Sequence, residues 1–365
     1  MIPLIDVAGG PAARGEAYGR QAKSWIDTAI GFYRADFAAR GVEWAEAERI
    51  AESFRDGIEA FDPAIATEIE AIARGAKVPV AAIVLLNART EVLFWHASGA
   101  DAGPALKPGP EAEECTSAIV MPERSAEGRL WHAQNWDWRP DAAAHTVAVR
   151  ITGAEVPDAL HFVEAGQLAR HGLNRCGIAV TAMGLHTVGQ YGKPGIPSPV
   201  VRRRVLQQES FGRALGEVFR SPASFSHALM ISHGEGEAWC LECTPDRIFW
   251  LEPEEGVLSH ANHFKHPAAV AADIERNLTR VPDSLYRDGR VARRLKAGDK
   301  ASLEDMKRAF ADRFGAPDAV LRHPNQRPGS LLSATVYTLI MSPSEGAAQL
   351  SIRPWEGTDF QHFTL

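Results

Sequence analysis

Cysteine is scarce in this chain: Cys115, Cys176, Cys240 and Cys243 are its four thiols in 365 residues. Four in a protein of this length do not form a disulfide framework, so each is read as free, either reactive or simply buried. No apolar run approaches the roughly 20 residues that a bilayer-spanning helix needs. The opening MIPLIDVAGGPAARGE has no basic stretch followed by an apolar core, so no secretory signal is legible and a cytoplasmic location is the expectation. Basic excess is missing as well: the net charge of −7 argues against a nucleic-acid partner, which would call for a positive face. Internal repeats and low-complexity segments are also absent. What remains, 45% hydrophobic and 23% charged residues, is the composition of an ordinary globular protein. The length neither requires two domains nor forbids them.

The first third reads as helical. GEAYGRQAKSWIDTAIGFYRADFAA, EWAEAERIAESFRDGIEAF and PAIATEIEAIARGA carry apolar residues at three- and four-residue spacing. Asp62 before Pro63 is a helix start and Gly75 a helix stop by the usual signals. AAIVLLNARTEVLFW continues as a largely buried helix. DAGPALKPGPEAEE is then a connector rich in Gly, Pro and Glu. Beyond it the texture changes to strands: TSAIVM and LWHAQNWDW form a hairpin around PERSAEGR, followed by HTVAVRIT, CGIAVTAMGL, HALMISHG, EAWCLECT and RIFWLEP. Helices return at PVVRRRVLQQ, SLYRDGRVARRLKAG and EDMKRAFADRF, and ATVYTLIMS with AAQLSIRPW closes the chain as a strand pair. This order predicts a layered α+β or α/β fold with sheets inside and helices outside.

The junction at Cys115 separates the helical segment from the sheet. A thiol there faces the peptide carbonyl of Glu114. An N-to-S shift followed by hydrolysis would release the preceding segment and free the α-amine of Cys115. That amine, with an ordinary pKa of roughly 7.7–8.0, can take the proton of its own thiol, so no distant histidine is required. The bland alternative is a buried, inert cysteine at a strand start. The next strand, QNWDW, places Gln134, Trp136 and Trp138 on one face and Asn135 with Asp137 on the other. The Asp137 carboxylate would hold an ammonium at residue 115, or else be part of a solvated polar stripe. Asn174 in HGLNRCGIAV and Asn262 in LSHANHFKHP are neutral amides of the kind that stabilise an oxyanion, although asparagine in a turn often serves the turn itself.

Taken in order, GPAARGEAYGRQ, ECTSAIV, LWHAQNWDW, GLNRCGIAV, LECTPDRIFWLEPEEGVLSHANHF and SATVYTLIMS resemble one family. It is the acyl-coenzyme A:6-aminopenicillanic acid acyltransferase family of cysteine N-terminal-nucleophile hydrolases, related to penicillin V acylase and choloylglycine hydrolase. The resemblance runs from about residue 10 to the end. It implies an α+β fold of four layers, an αββα sandwich, matured by autoproteolysis. Residues 1–114 would be a helical N-terminal segment of the same fold, and residues 115–365 the catalytic chain. By motif, Cys115 would be nucleophile and, through its amine, base. Asp137 would position that amine, Asn262 would stabilise the oxyanion, and Asn174 would line the same pocket. Gln134, Asn135 and Trp136 are substrate-binding candidates. Gln134 stands where the bile-salt enzymes carry an arginine, and Arg327 is a substitute by position. Glu114 replaces the glycine that the namesake enzyme has before its cysteine.

Other motifs are decoys on this reading. Cys240 and Cys243 form a C-x-x-C within a strand, where residues three apart face opposite ways, and no second pair completes a metal site. His260, His263 and His266 suit a hydrogen-bonded loop. Arg202, Arg203 and Arg204 read as a solvated helix face. Trp131, Trp136 and Trp138 are either hairpin core or the wall of an acyl pocket. The expectation is a self-processing amidohydrolase without cofactor or metal, cleaving a small-molecule N-acyl amide through a cysteine acyl-enzyme. The alternatives are an N-acyltransferase fed by an acyl thioester such as acyl-CoA, and a non-cleaving member acting as a binding subunit. No nucleic-acid or membrane partner is expected, and association into homo-oligomers is left open.

Overall fold

The structure, a computed structural model, describes residues 1–97, 114–153, 155–187, 195–272, 274–326, 331–357 and 359–365. A short strand, β1 (Leu4–Ala8), precedes six helices: α1 (Pro11–Gln21), α2 (Lys23–Ala39), α3 (Trp44–Glu52), α4 (Arg55–Phe61), α5 (Pro63–Ala76) and α6 (Val80–Ala97). Strands β2 (Glu114–Val120), β3 (Trp131–Trp138), β4 (Thr146–Thr152), β5 (Ala159–Glu164), β6 (His171–Asn174) and β7 (Ile178–Gly184) follow. Next come α7 (Ser198–Leu206) and α8 (Phe211–Arg220), then β8 (His227–His233), β9 (Glu237–Cys243), β10 (Ile248–Leu251) and β11 (Val257–His260). The chain ends with α9 (Pro267–Ala271), α10 (Ser284–Leu295), α11 (Leu303–Phe310), β12 (Ala334–Ser342), β13 (Ala347–Ile352) and β14 (Gln361–Thr364).

Among the described residues these strands make two sheets, ordered β1-β4-β5-β6-β7-β8-β9-β10 and β11-β2-β3-β12-β13-β14. Every pairing is antiparallel except β1 with β4. Three apolar cores separate four layers. One lies between the larger sheet and the helices up to α8, and joins Ile26, Phe37 and Ile72 to Val149, Val180 and Leu229. A second fills the space between the sheets, and a third seals α10 and α11 onto the smaller sheet through Val291, Leu295, Met306 and Phe310. The fold is an αββα sandwich of the α+β class.

Local chemistry explains the elements. Asp62 caps α5, its Oδ1 accepting from the amides of Ala64 at 2.9 Å and Ile65 at 3.1 Å, while Pro63 sets the first turn. Gly75 is not the stop: α5 runs to Ala76 and ends at Lys77, which takes the left-handed conformation at φ 58°. Gly75 serves helix packing instead. A Cβ there would stand 2.2 Å from the Glu16 carbonyl, and one on Gly19 would stand 2.1 Å from that of Ile72. Helices α1 and α5 therefore meet backbone to backbone. Strand β1 sits inside the segment read as helical, since five residues with alternating burial are too short to stand out beside long helices.

Candidate active site

Strand β2 opens on Glu114 and Cys115. Its register with β3 sets Glu114 opposite Asp137, Cys115 opposite Trp136 and Thr116 opposite Asn135. Side chains alternate across a strand, so the hairpin has two unlike faces. The inner face puts Cys115, Trp136 and Tyr337 of β12 into the core between the sheets. The outer face turns Thr116 and Asn135 toward α10 and α11, where Thr116 Oγ1 accepts from Arg287 Nη1 at 2.8 Å.

The other neighbour of β2 is β11, which pairs as far as Ser117 with His260 and then stops. Continued two steps, that register reaches Asn262, whose side chain takes over from the missing strand. The backbone N–H of Cys115 donates to Asn262 Oδ1 at 2.7 Å. Asn262 is fixed from several sides: its N–H donates to Ser284 Oγ at 2.7 Å, its carbonyl accepts from Asn277 Nδ2 at 2.7 Å, and its Nδ2 donates to the Gly184 carbonyl at 3.0 Å. Arg287 completes the frame from α10. It donates through Nη1 to the Cys115 carbonyl at 2.6 Å and through Nη2 to Asn262 Oδ1 at 2.9 Å. Residue 115 is thus gripped at both its backbone N–H and its carbonyl.

A buried ionic layer lies beside this frame. Asp283 Oδ2 accepts from Arg287 Nε at 2.7 Å and from Arg322 Nη2 at 2.8 Å. Arg322 is tied to β12 by its N–H to Thr335 Oγ1 at 2.9 Å, pairs with the Glu114 carboxylate, and brings Nε to 3.7 Å from Asp137 Oδ2. Burial opposes the charge of Arg322, but Glu114, Asp137 and Asp283 outweigh it and raise its pKa. Asp137 is fully buried, and burial pushes its carboxyl up to about 7 despite the opposing guanidinia of Arg322 and Arg287. Glu114, across the strand pair, pushes it the same way. The Tyr337 hydroxyl is likewise raised, by burial first.

This arrangement, a thiol at a strand start with its own N–H and C=O clamped, suits chemistry at the bond just upstream. The sequence profile described as acyl-coenzyme A:6-aminopenicillanic acid acyl-transferase matches residues 124–353. The chain belongs to this family. The match spans Asp137, Asn262, Arg287 and Arg322, and starts after Cys115. A curated member, the 40 kDa form of acyl-coenzyme A:6-aminopenicillanic-acid-acyltransferase from Emericella nidulans, is 25% identical over 339 residues, covering 92% of this chain and 88% of the relative. Conjugated bile acid hydrolase from Clostridium perfringens is similar at 13% identity and a TM-score of 0.48, over 69% of this chain and 92% of the other. Penicillin V acylase from Agrobacterium tumefaciens is similar at 14% identity and a TM-score of 0.44, over 65% and 83%. As a member of the acyltransferase family, the chain is an enzyme of amide cleavage or acyl transfer.

The candidates from the sequence separate in space. Cys115, Glu114, Asp137 and Asn262 come together. Asn174 does not join them. Its Oδ1 accepts from Ile178 N–H at 3.0 Å, and its Nδ2 donates to the carbonyls of Leu206 at 3.0 Å and Gln208 at 2.8 Å. Both amide hydrogens are consumed in tying a β-turn to the end of α7, which corrects its assignment to the pocket. Asn135 is corrected on the same ground: Nδ2 donates to the carbonyls of Phe310 at 2.9 Å and Val320 at 2.8 Å, and Oδ1 accepts from Thr338 at 2.7 Å. It pins α11 to the sheet and leaves nothing for substrate. Gln134 points between the sheets and donates to the Ala182 carbonyl at 2.8 Å. Trp136 is core, stacked under Arg170 at 4.3 Å. Arg327 lies outside the described residues.

Three further sequence readings meet the structure. Cys240 and Cys243 belong to different cores on either side of β9, and burial raises both thiols. His260 bonds Glu242 at 2.8 Å, His263 bonds Ser284 at 2.7 Å, and His266 caps α9. The solvated arginine face is a correction: Arg202 and Arg203 are 5% and 2% exposed. Arg203 makes a two-pronged pair with Glu68 at 2.8 and 2.9 Å, and the long side chains reach inward because α7 is covered by α8 and α6. Arg287 and Arg322 were missed. Arg287 stands four residues after Asp283 on a helix rich in arginine, where the pair reads as a surface i,i+4 bridge. Arg322 lies in a loop and carries no periodic signal.

Among the described residues no helix is long and apolar enough to cross a membrane.

Proposed function

We propose that the protein is a self-processing amidohydrolase in which Cys115 becomes an N-terminal nucleophile. Its Sγ attacks the Glu114 carbonyl, the C–N bond breaks, and the thiol proton passes to the departing nitrogen of Cys115. Water hydrolyses the resulting thioester. Residues 1–114 then end in a new carboxylate and stay packed in the same fold, and residues 115–365 begin with a free thiol and a free amine. In turnover the amine takes the thiol proton, Sγ attacks the substrate amide, and the proton is returned to the leaving nitrogen. Water, with the amine again as base, then releases the acid. Asn262 Nδ2 is the oxyanion donor on this reading, and Arg287 holds residue 115 in register. Asp137 accepts the ammonium; a carboxyl near pKa 7 in the uncut chain ionises once a positive charge appears beside it.

The single observation that carries the reading is the 2.7 Å contact between the Cys115 nitrogen and Asn262 Oδ1. On this reading, the nitrogen that becomes the base already meets an acceptor before any bond is cut. The Glu114–Arg322 pair supports the cleavage site, because it fixes the residue whose carbonyl is attacked. No cofactor enters any step.

Intact-mass measurement on purified protein tests this. Wild type is expected as two fragments, 1–114 and 115–365, and Cys115→Ala as one chain. A single uncut wild-type chain overturns the proposal. With cut enzyme and an N-acyl amide, added hydroxylamine reports the fate of the acyl group. Free acid as the main product means hydrolysis, and predominant hydroxamate means that an amine acceptor outcompetes water, as an N-acyltransferase requires.

A further inference from the structure

The segment that carries Asn262 is held by a carboxylate of the opposite sheet. Strand β11 ends at His260, whose backbone pairs with Ser117 of β2, the nucleophile's own strand. The His260 ring leaves that sheet and meets Glu242 of β9 in the larger one, Nε2 to Oε1 at 2.8 Å. The same Oε1 accepts from the Lys265 N–H at 2.6 Å, and Oε2 accepts from the His266 N–H at 3.2 Å. Glu242 and His260 are both fully buried. Glu242 thus grips both ends of the segment 260–266, with Asn262 between them. Burial pushes its carboxyl up, but the bond and charge of His260 and the two amides outweigh it and hold the carboxyl below its usual value.

The grip continues into the peptide group that leads to Asn262. His260 Nδ1 lies 2.9 Å from the Ala261 carbonyl, which can only accept, so Nδ1 bears a hydrogen. An ionised carboxylate likewise only accepts, so Nε2 bears the other. The peptide joining Ala261 to Asn262 is therefore held at both edges, its oxygen by His260 and its N–H by Ser284 Oγ at 2.7 Å. Ser284 Oγ in turn lies 2.7 Å from His263 Nδ1. One chain of bonds runs from Glu242 to the backbone of the residue whose side chain meets the Cys115 nitrogen.

We propose that Glu242 and His260 are positioning residues of the reaction, which hold the Asn262 amide in register with the Cys115 nitrogen and so act on rate rather than on substrate affinity. The proposal rests on the reading of Cys115 as nucleophile and Asn262 as oxyanion donor. The β11–β2 pairing ends at His260, so the position of Asn262 falls to side chains. Displacing such a donor by about 1 Å can cost on the order of 100-fold in rate. Exchanging the Glu242 carboxylate for an amide of the same size leaves one oxygen for three donors. At least one donor then faces an amide N–H, and that end of the segment lets go.

Self-cleavage and hydrogen exchange test the proposal together. Glu242→Gln is expected to slow the appearance of fragment 115–365 on the order of 10- to 100-fold, and to slow it no further when Asn262→Ala is already present. In cut enzyme acting on an N-acyl amide, kcat should fall by a similar factor with KM nearly unchanged. Equal slowing with and without Asn262→Ala, cleavage at the wild-type rate, or a raised KM with kcat unchanged overturns the proposal. Exchange at the amide of residue 115 reads the contact with Asn262 without any cleavage. In the Cys115→Ala chain, adding Glu242→Gln should speed exchange there by about 10-fold or more while the rest of β2 is unchanged. Unaltered exchange at residue 115, or a rise along all of β2, overturns the proposal. Should wild type not cleave, the nucleophile reading fails separately, and this exchange measurement still decides whether Glu242 places Asn262. His260→Asn, which withdraws the donor from Glu242, is expected to repeat each result if Glu242→Gln does not fold. If neither variant folds, the nitrogen resonances of the His260 ring in the Cys115→Ala chain decide. Hydrogen on both nitrogens supports the chain of bonds, and a bare nitrogen at either place overturns it.

Discussion

Two asparagines, Asn262 and Asn174, satisfy the same local tests and do different work. Both are fully buried, both follow or end a short strand, and both have the side-chain oxygen and nitrogen engaged. The difference is where the acceptor oxygen looks. Asn174 Oδ1 turns back to Ile178, four residues along its own chain, and closes the turn that starts β7. Asn262 Oδ1 reaches 147 residues back to the nitrogen of Cys115, at a point where no strand is left to supply a carbonyl. Burial and saturation are thus common to turn-making and site-making amides. An amide that substitutes for an absent strand beside a thiol is the informative case.

The comparison breaks hardest at Asn262. Asn262→Ala leaves the Cys115 N–H and Arg287 Nη2 without this acceptor and removes the proposed oxyanion donor. Self-cleavage is expected to slow by on the order of 10²–10³, measured as the time course of fragment 115–365 appearing in intact-mass spectra. Cleavage at the wild-type rate would mean that the amide only fills the ladder.

A second test sharpens the contrast by asking which group waits for the amine. In the uncut chain the folded-state pKa of Asp137 is raised from 3.8 to about 7, so the native state holds a proton that the unfolded state has lost. The stabilisation is complete below about pH 3.8 and is lost as pH rises through about 7. In the uncleavable Cys115→Ala chain, stability to urea should therefore fall across that window, and the added Asp137→Asn substitution should flatten it. The proposed function puts the ammonium of residue 115 beside the carboxylate in cut enzyme, where it would lower the Asp137 pKa, and on that proposal the same fall should shrink. A slope that persists unchanged after cutting would mean that Asp137 does not meet the amine.

Much of this was legible in the chain itself, for reasons that differ by element. The β2–β3 hairpin could be read because its alternation is strict, and the same alternation correctly put Gln134 and Trp136 on one face and Asn135 with Asp137 on the other. The layered fold followed from long helices before and after a run of strands. The ionic layer did not follow, because Asp137, Asp283, Arg287 and Arg322 come from a strand end, a helix start and a loop, and nothing in spacing announces that they meet. Arg202 and Arg203 were misread for a related reason: polar periodicity on a helix indicates a solvent face only when no second helix covers it. Strand β1 and the contact role of Gly75 were hidden by length and by the absence of a side chain.

The smallest effect is expected at Asn174, where the comparison is most exposed to refutation. Asn174→Ala takes the acceptor from Ile178 N–H and the donors from the carbonyls of Leu206 and Gln208, all at a buried turn. Losing such partners costs about 1–3 kcal/mol, visible as a lower urea midpoint. Self-cleavage of the folded fraction should proceed as in wild type, because no bond of Asn174 reaches Cys115 or its frame. If instead the variant folds with an unchanged midpoint but stops cutting, the turn is the wrong account of this residue. The two asparagines would then belong to one site, and the distinction by where each acceptor looks would have to be abandoned.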